Sequence, residues 1–173
     1  MGKYPDAYIA YLVEFHATRD YFECHELLEE YWKAHPDDGM GDTWVGLIQI
    51  AVGQYHERRG NRRGAAKMYE SADGKLADEQ LVQLGMDARS LRVQLEERRK
   101  AVEAGTPFKD IEIKLTDEEL LRLCMQACEA GGYSWGTASP AENQALIHRH
   151  LLRDRTMVVA AREEALLKKR TNT

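Results

Sequence analysis

The chain has few cysteines, and they do not form the pairs that structural metal sites use. Cys24, Cys124 and Cys128 are odd in number and include no Cys-x-x-Cys spacing. Structural zinc sites use such pairs, and small secreted proteins use an even number of disulfide-forming cysteines. The first 15 residues hold a single lysine, so we expect no signal peptide. We therefore predict a cytoplasmic protein whose reduced thiols serve as small packing residues.

Long apolar runs and an excess of basic residues are also missing. No apolar stretch approaches the roughly 20 residues of a membrane-spanning helix. The net charge of -5 gives no general attraction to nucleic acid or to anionic membranes. Familiar catalytic signatures are absent as well, because there is no HExxH helix, Ser-His-Asp pattern or glycine-rich phosphate loop. The sequence thus predicts neither a membrane nor a nucleic-acid partner, and it names no reaction.

The signals that are present are helical from end to end. Apolar residues recur at helical spacing, which predicts helices over about residues 5–17, 21–35, 43–59, 62–72 and 88–104, with a short turn of helix in 78–87. Three pairs fit the capping box that begins a helix: Asp20 with Glu23, Thr116 with Glu119, and Ser139 with Glu142. The last of these begins a predicted helix of about 30 residues. Residues 106–115 alternate apolar and polar side chains and are the one place where a short strand is predicted.

These elements predict an all-α fold, an antiparallel helix-hairpin bundle with a C-terminal helical extension. We assign residues 1–105 to the bundle core and residues 106–173 to the extension, which packs on the core or forms a homodimer. The third and fourth helices have the small-and-aromatic spacing of a tetratricopeptide helix pair, carried by Gly53, Gly60, Ala65, Tyr69 and Ala72. Only one unit matches, so the spacing predicts a hairpin geometry and not a repeat array.

Polar residues interrupt the apolar faces of the second and third helices. His25 and Glu29 are four residues apart on the face that also carries Phe22 and Trp32, so their side chains can meet. On the third helix, Gln49 and His56 lie on an otherwise apolar stripe. If the two helices pack antiparallel, these stripes face each other. The sequence therefore predicts one site with these candidate residues: His25, Glu26, Glu29, Trp32, Gln49 and His56.

Three blocks of this region resemble a small all-helical bacterial family catalogued as a domain of unknown function, number 309. The blocks are YFECHELLEEYW, GLIQIAVGQYH and RRGNRRGAAK, and the resemblance covers roughly residues 8 to 75. The signature positions are Glu23, His25, Glu26, Glu29, Trp32, Gly46, Gln49, His56, Gly60, Asn61 and Gly64. The family usually has Phe-Asn-x-Gly before the aromatic pair, whereas this chain has His16 for the Asn, Thr18 for the Gly and one residue more. The resemblance implies a helical bundle and no assigned activity.

The polar cluster admits three interpretations. A buried hydrogen-bond network would fix the packing of the helices. A small-molecule pocket would use the same side chains, with Glu29 as general base, His25 or His56 as acid, and Gln49 orienting the substrate if the protein is an enzyme. A divalent metal would be held by His25, Glu29 and His56, although no ligand spacing selects among metals. An open cavity favours binding, and a closed, fully paired network favours a structural or interaction module.

A second, weaker candidate is the basic turn between the third and fourth helices. Arg58, Arg59, Arg62 and Arg63 surround it, and the N-terminus of the fourth helix adds its dipole. These residues predict a small-anion site, with a solvated basic turn as the alternative. His148 and His150 point to different sides of one predicted helix, so they do not form a shared metal site.

Overall fold

The computed structural model describes residues 2–140 together with Ile147. The chain divides into two compact units, Met1–Ser139 and Pro140–Thr173. Within the described residues there are seven α-helices and one π-helical turn. They are α1 (Asp6–Val13), the π turn (Glu14–Thr18), α2 (Tyr21–Ala34), α3 (Gly41–Arg58), α4 (Arg62–Lys75), α5 (Asp78–Gln83), α6 (Ala88–Ala104) and α7 (Glu118–Ala130). The predicted all-α class is confirmed, and none of these seven helices has the length and apolar composition that crossing a membrane requires.

Helices α2 and α3 pack antiparallel, which is the arrangement that the predicted site assumed. The rings of Phe22 and Tyr55 lie 6.0 Å apart at one end of the pair. At the other end, Tyr31 meets Trp44 edge-on at 5.4 Å. The apolar side chains of both helices enter a single core that also takes in α1, α4, α6 and α7.

The α3–α4 hairpin depends on glycines where its two helices cross. A Cβ atom at Gly53 would lie 2.5 Å from the Tyr69 ring, and one at Gly46 would lie 2.6 Å from Leu76. No side chain fits at these distances, so the close approach of the helices requires glycine. Gly53 and Tyr69, two positions of the predicted spacing, therefore meet where the helices cross.

Most of the predicted helix boundaries are correct. Asp20 accepts a hydrogen bond from the Glu23 amide at 3.1 Å and begins α2. Asn61 does the same for the Gly64 amide at 3.0 Å and begins α4. Gly105 ends α6 in the left-handed conformation, with φ of 72°.

Two predicted helix starts are wrong by one residue. The cap of α7 is Asp117, which accepts from the Glu119 amide at 3.0 Å, and not Thr116. Its carboxylate is a stronger acceptor than a hydroxyl for these amides. Pro5 caps α1 and the helix itself begins at Asp6. Glu142, the predicted final helix, His148 and His150 lie outside the described residues.

The extra residue between the first two predicted helices is accommodated in the backbone. Residues Glu14–Thr18 take the wider π-helical form, the usual way in which a helix absorbs one inserted residue. Arg19 then adopts a left-handed conformation with φ of 56°. This conformation is one that favours glycine.

Arg19 is fully buried, and the hydrogen bonds of its guanidinium offset the strain of its left-handed backbone conformation. It donates to the Thr137 carbonyl at 2.7 Å, to the Ile111 carbonyl at 3.0 Å and to the Glu112 carboxylate at 2.5 Å. A glycine at this position would relieve the left-handed strain but would remove all three hydrogen bonds. Arg19 thereby joins the π turn to residues 111–137.

The strand predicted within residues 106–115 is not formed. The segment is extended, but its pairing is limited to one isolated antiparallel bridge between Met86 and Leu115. No described neighbour is extended alongside it, so side chains from the helices take the place of a partner strand. Gln94 donates to the Glu112 carbonyl at 2.7 Å and accepts from the Glu112 amide at 2.8 Å.

Two further side chains complete this backbone pairing. The Gln54 amide oxygen accepts from the Ile111 amide at 2.7 Å. The His16 Nε2 atom accepts from the Ile113 amide at 2.9 Å, while its Nδ1 atom donates to the Leu12 carbonyl at 2.9 Å. His16 is therefore neutral, with its proton on Nδ1. Its burial, and next the nearby Arg19 charge, lower the pKa of His16 from about 6.5 to about 4.

We predict that His16 makes the fold sensitive to acid. The unfolded chain binds a proton at His16 below about pH 6.5, whereas the folded chain binds it only below about pH 4. The stability contributed by neutral His16 is therefore fully present above pH 6.5. It should fall by about 3 kcal/mol as the pH drops to 4. Urea unfolding at several pH values should show this decrease in the native chain and a smaller one in His16→Asn. An equal pH dependence in both proteins would contradict a neutral, buried His16.

Candidate functional site

The predicted contact between His25 and Glu29 is present on α2. The His25 Nε2 atom lies 2.5 Å from a Glu29 carboxylate oxygen, and Lys33 Nζ lies 2.6 Å from the other oxygen. The hydrogen bond from Lys33, followed by the charge of His25, lowers the pKa of Glu29. The side chains of His25 and Glu29 are each 29% exposed, so the pair is accessible to solvent. It is not part of a sealed internal network.

Two other predicted residues of α2 flank this pair. A Glu26 carboxylate oxygen lies 3.8 Å from His25 Nδ1, on the side of the imidazole that does not face Glu29. Trp32 is half-buried against the core. The four residues therefore form one partly open surface, with three ionisable groups and an aromatic ring.

Gln49 is the predicted site residue of α3 that lies at the level of this surface. The antiparallel contacts at Phe22–Tyr55 and Tyr31–Trp44 place Gln49 at a level between His25 and Glu29 along the helix pair. Its amide oxygen is buried and has no hydrogen-bond partner among the described residues, and the same holds for buried side-chain atoms of Glu57, Arg58, Arg59 and Arg98. More than nine in ten buried polar atoms have a partner, so an orphan acceptor at this position needs a physical explanation.

His56 lies farther along α3 than the sequence pattern suggested. It sits at the level of Tyr21, about one helical turn beyond His25. Its Nδ1 atom is 3.1 Å from Arg59 Nη2 and 3.4 Å from the Asn61 side-chain nitrogen. Within residues 2–140 no three His, Cys, Asp or Glu side chains form a group that could hold a metal ion. The predicted ligands His25, Glu29 and His56 are thus not assembled as a metal site.

The four arginines of the predicted anion site have separate surroundings. Arg58 stacks on the Tyr21 ring at 4.7 Å and donates to the Arg19 carbonyl at 2.7 Å. Arg59 lies over Tyr55 at 5.5 Å. The remaining two, Arg62 and Arg63, begin α4, and the Arg62 guanidinium lies against Gly105.

A buried polar network that the sequence analysis did not identify lies on another face of α3. The Tyr69 hydroxyl donates to Glu57 at 2.9 Å and accepts from Gln54 at 2.8 Å. Arg98 Nε lies 3.6 Å from the same Glu57 carboxylate. Burial is the largest cause that raises the pKa of Glu57. The available signal was the three-residue spacing of Gln54 and Glu57, which places both on one helix face.

A second missed network surrounds Asp110. Its carboxylate accepts hydrogen bonds from the Tyr21 hydroxyl at 2.6 Å and from the Ser139 amide at 2.8 Å. No sequence signal indicated this network, because Tyr21, Asp110 and Ser139 are far apart in the chain. The predicted role of the cysteines is confirmed, since all three are free and buried, and burial raises the pKa of the Cys24 thiol.

Comparisons with known proteins concern this same region. The family model described as "Domain of unknown function (DUF309)" matches residues 8–68. This range includes His25, Glu26, Glu29, Trp32 and Gln49, which we call the α2–α3 surface. The uncharacterized protein YpuF of Bacillus subtilis is 44% identical over 165 residues, covering 94% of this chain and 95% of the relative. An uncharacterized protein of Aquifex aeolicus is 26% identical over 102 residues, which are 59% of this chain and 30% of that protein. No solved structure matches.

We predict that Arg98→Met destabilises the fold by about 3–5 kcal/mol at pH 7.5, because it leaves the Glu57 carboxylate buried without a cation. Because the pKa of Glu57 is raised, its protonated form is favoured in the folded chain, and the stability that this form contributes is lost as the pH rises. The defect should therefore shrink at pH 5 in urea unfolding. Adding Glu57→Gln should recover part of the lost stability at pH 7.5. No recovery in the double variant would contradict the pairing.

Proposed function

Because this chain belongs to the DUF309 family, whose activity is unassigned, we propose its function from geometry: the α2–α3 surface binds a small polar ligand through His25, Glu29 and Gln49. The orphan amide oxygen of Gln49 carries this proposal. A buried acceptor without a partner costs about 1–3 kcal/mol, which a bound N–H or O–H donor would recover. The ligand is therefore one that offers a hydrogen-bond donor.

The His25–Glu29 pair supplies the orientation that such a site needs. A carboxylate bonded to one imidazole nitrogen fixes the ring and leaves the other nitrogen to interact with a ligand. Here the bond is to Nε2, so Nδ1 is the interacting atom, beside Glu26. If the ligand is a substrate, this arrangement suits proton transfer. Residues 2–140 contain no group of three His, Cys, Asp or Glu side chains placed to hold a metal ion, so the proposal rests on hydrogen bonding.

The alternative is a structural or interaction module whose polar cluster only fixes helix packing. Two observations favour the binding function. His25 and Glu29 are accessible, and the Gln49 amide oxygen has no hydrogen-bond partner among residues 2–140. The networks around Glu57 and Asp110 already supply the buried polar contacts that fix the packing. We infer a cytoplasmic location from the three free, buried thiols.

We expect Gln49→Leu to raise the free energy of unfolding by about 1–3 kcal/mol, because it removes a buried acceptor that has no partner. Gln54→Leu is the matched control: its amide is fully bonded, so the same change should destabilise the chain. Urea unfolding of both variants measures the contrast. A clear loss of stability in Gln49→Leu would show that this oxygen serves the fold.

Ligand binding is tested separately by saturation-transfer NMR. The probes are amides, amino alcohols and sugars, all of which carry hydrogen-bond donors. A compound that binds the native chain should lose most of its affinity for Gln49→Leu and for His25→Ala. Equal binding to all three proteins, or no binding by any probe, would contradict the proposed site.

A further inference from the structure

One face of α7 opens onto a cavity that is separate from the α2–α3 surface. Its volume is about 700 Å³, within the roughly 300–1,000 Å³ range of small-molecule sites. The α7 side chains along it include Glu118, Leu121, Met125 and Glu129, and residues 133–135 close one end. All of these residues belong to the unit Met1–Ser139.

The wall of this cavity combines polar residues with apolar and aromatic ones, and much of it faces solvent. Met125 is 52% exposed and Tyr133 is 47% exposed, two of the four large apolar side chains with such exposure among the described residues. Trp135 also lines the cavity, and its ring stacks on His16 at 4.4 Å. His16 thus fixes the indole ring in place. Aromatic faces and a thioether suit a cation attached to an apolar chain.

Two carboxylates mark the ends of the helical wall. Glu118 and Glu129 are 11 residues apart, close to three full turns, so they share a face about 16 Å apart along the axis. Neither forms an ion pair among residues 2–140, whereas Glu119 on the neighbouring face is paired with Arg122. Arg122 also lines the cavity, and its Nε lies 2.9 Å from the Glu119 carboxylate. Among the described residues, the two ends of the helical wall therefore carry carboxylates without an ion pair, and the apolar side chains of Leu121 and Met125 lie between them.

We propose that this groove binds a linear polyamine. Terminal ammonium groups would pair with Glu118 and Glu129, and the methylene chain would lie over Leu121 and Met125. An internal ammonium group would face the rings of Tyr133 or Trp135. This pattern matches the spacing of the charges along the groove, whereas a compact cation such as a metal ion could satisfy only one end.

Isothermal titration of the full-length chain with spermine at low ionic strength tests this proposal. Spermine should bind more tightly than butane-1,4-diamine, which is too short to reach both carboxylates. Glu118→Gln and Glu129→Gln should each weaken spermine binding by about two- to fivefold, the size of an exposed charge pair. Tyr133→Ser should weaken it by about two- to fivefold through loss of the aromatic face.

The matched control removes two acidic groups elsewhere. Glu97→Gln with Glu103→Gln changes two exposed residues of α6 and alters the net charge as much as the Glu118→Gln, Glu129→Gln pair. The control should retain native affinity. Equal losses in both double variants would show attraction by net charge alone and overturn the proposal. Absence of spermine binding, or equal affinity for the short diamine, would overturn it as well.

Discussion

The extended segment at residues 109–113 must have its backbone hydrogen bonds satisfied, and the rest of the structure is arranged around this constraint. A buried amide without a partner costs about as much as a lost hydrogen bond, and this segment has no neighbouring strand among the described residues. Gln54, Gln94, His16 and Arg19 supply the missing partners from α3, α6, the π turn and the residue after it. The π turn and the left-handed Arg19 are the local distortions that bring two of these side chains to the segment.

His16 and His25 have different roles with respect to this constraint. His16 is buried, neutral and bonded at both ring nitrogens, so its chemistry is committed to the fold. His25 is accessible and paired with Glu29 on α2, and Gln49 on α3 has a buried oxygen without a partner among the described residues. Polar groups that are fully satisfied stabilise the packing, whereas groups left accessible or unpaired are available to a ligand. The α2–α3 surface has the second character and the Asp110 network has the first. The Glu57 network combines hydrogen-bonded groups with one Glu57 oxygen that has no partner among the described residues.

Local physics explains which features the sequence predicted. Helical periodicity and capping residues depend on a few neighbouring positions, so α2, α4 and α6 and the His25–Glu29 contact were predicted correctly. The glycines at the α3–α4 crossing were found because close helix packing demands small residues. The alternation in residues 106–115 predicted an extended segment but not its partners, because those come from side chains up to about 100 positions away. For the same reason the distance of His56 from His25 and the networks at Asp110 and Glu57 were missed: they depend on helix levels and long-range contacts that no short pattern records.

Hydrogen exchange at the Ile111 and Ile113 amides tests the central claim most directly. If Gln54 and His16 hold these amides as a partner strand would, both should exchange only when the whole unit unfolds, with protection equal to that of the core amides in α3. Rapid exchange at these two positions, on the scale of an open loop, would contradict the account. Side-chain pairing of the extended segment would then not be what organises the fold.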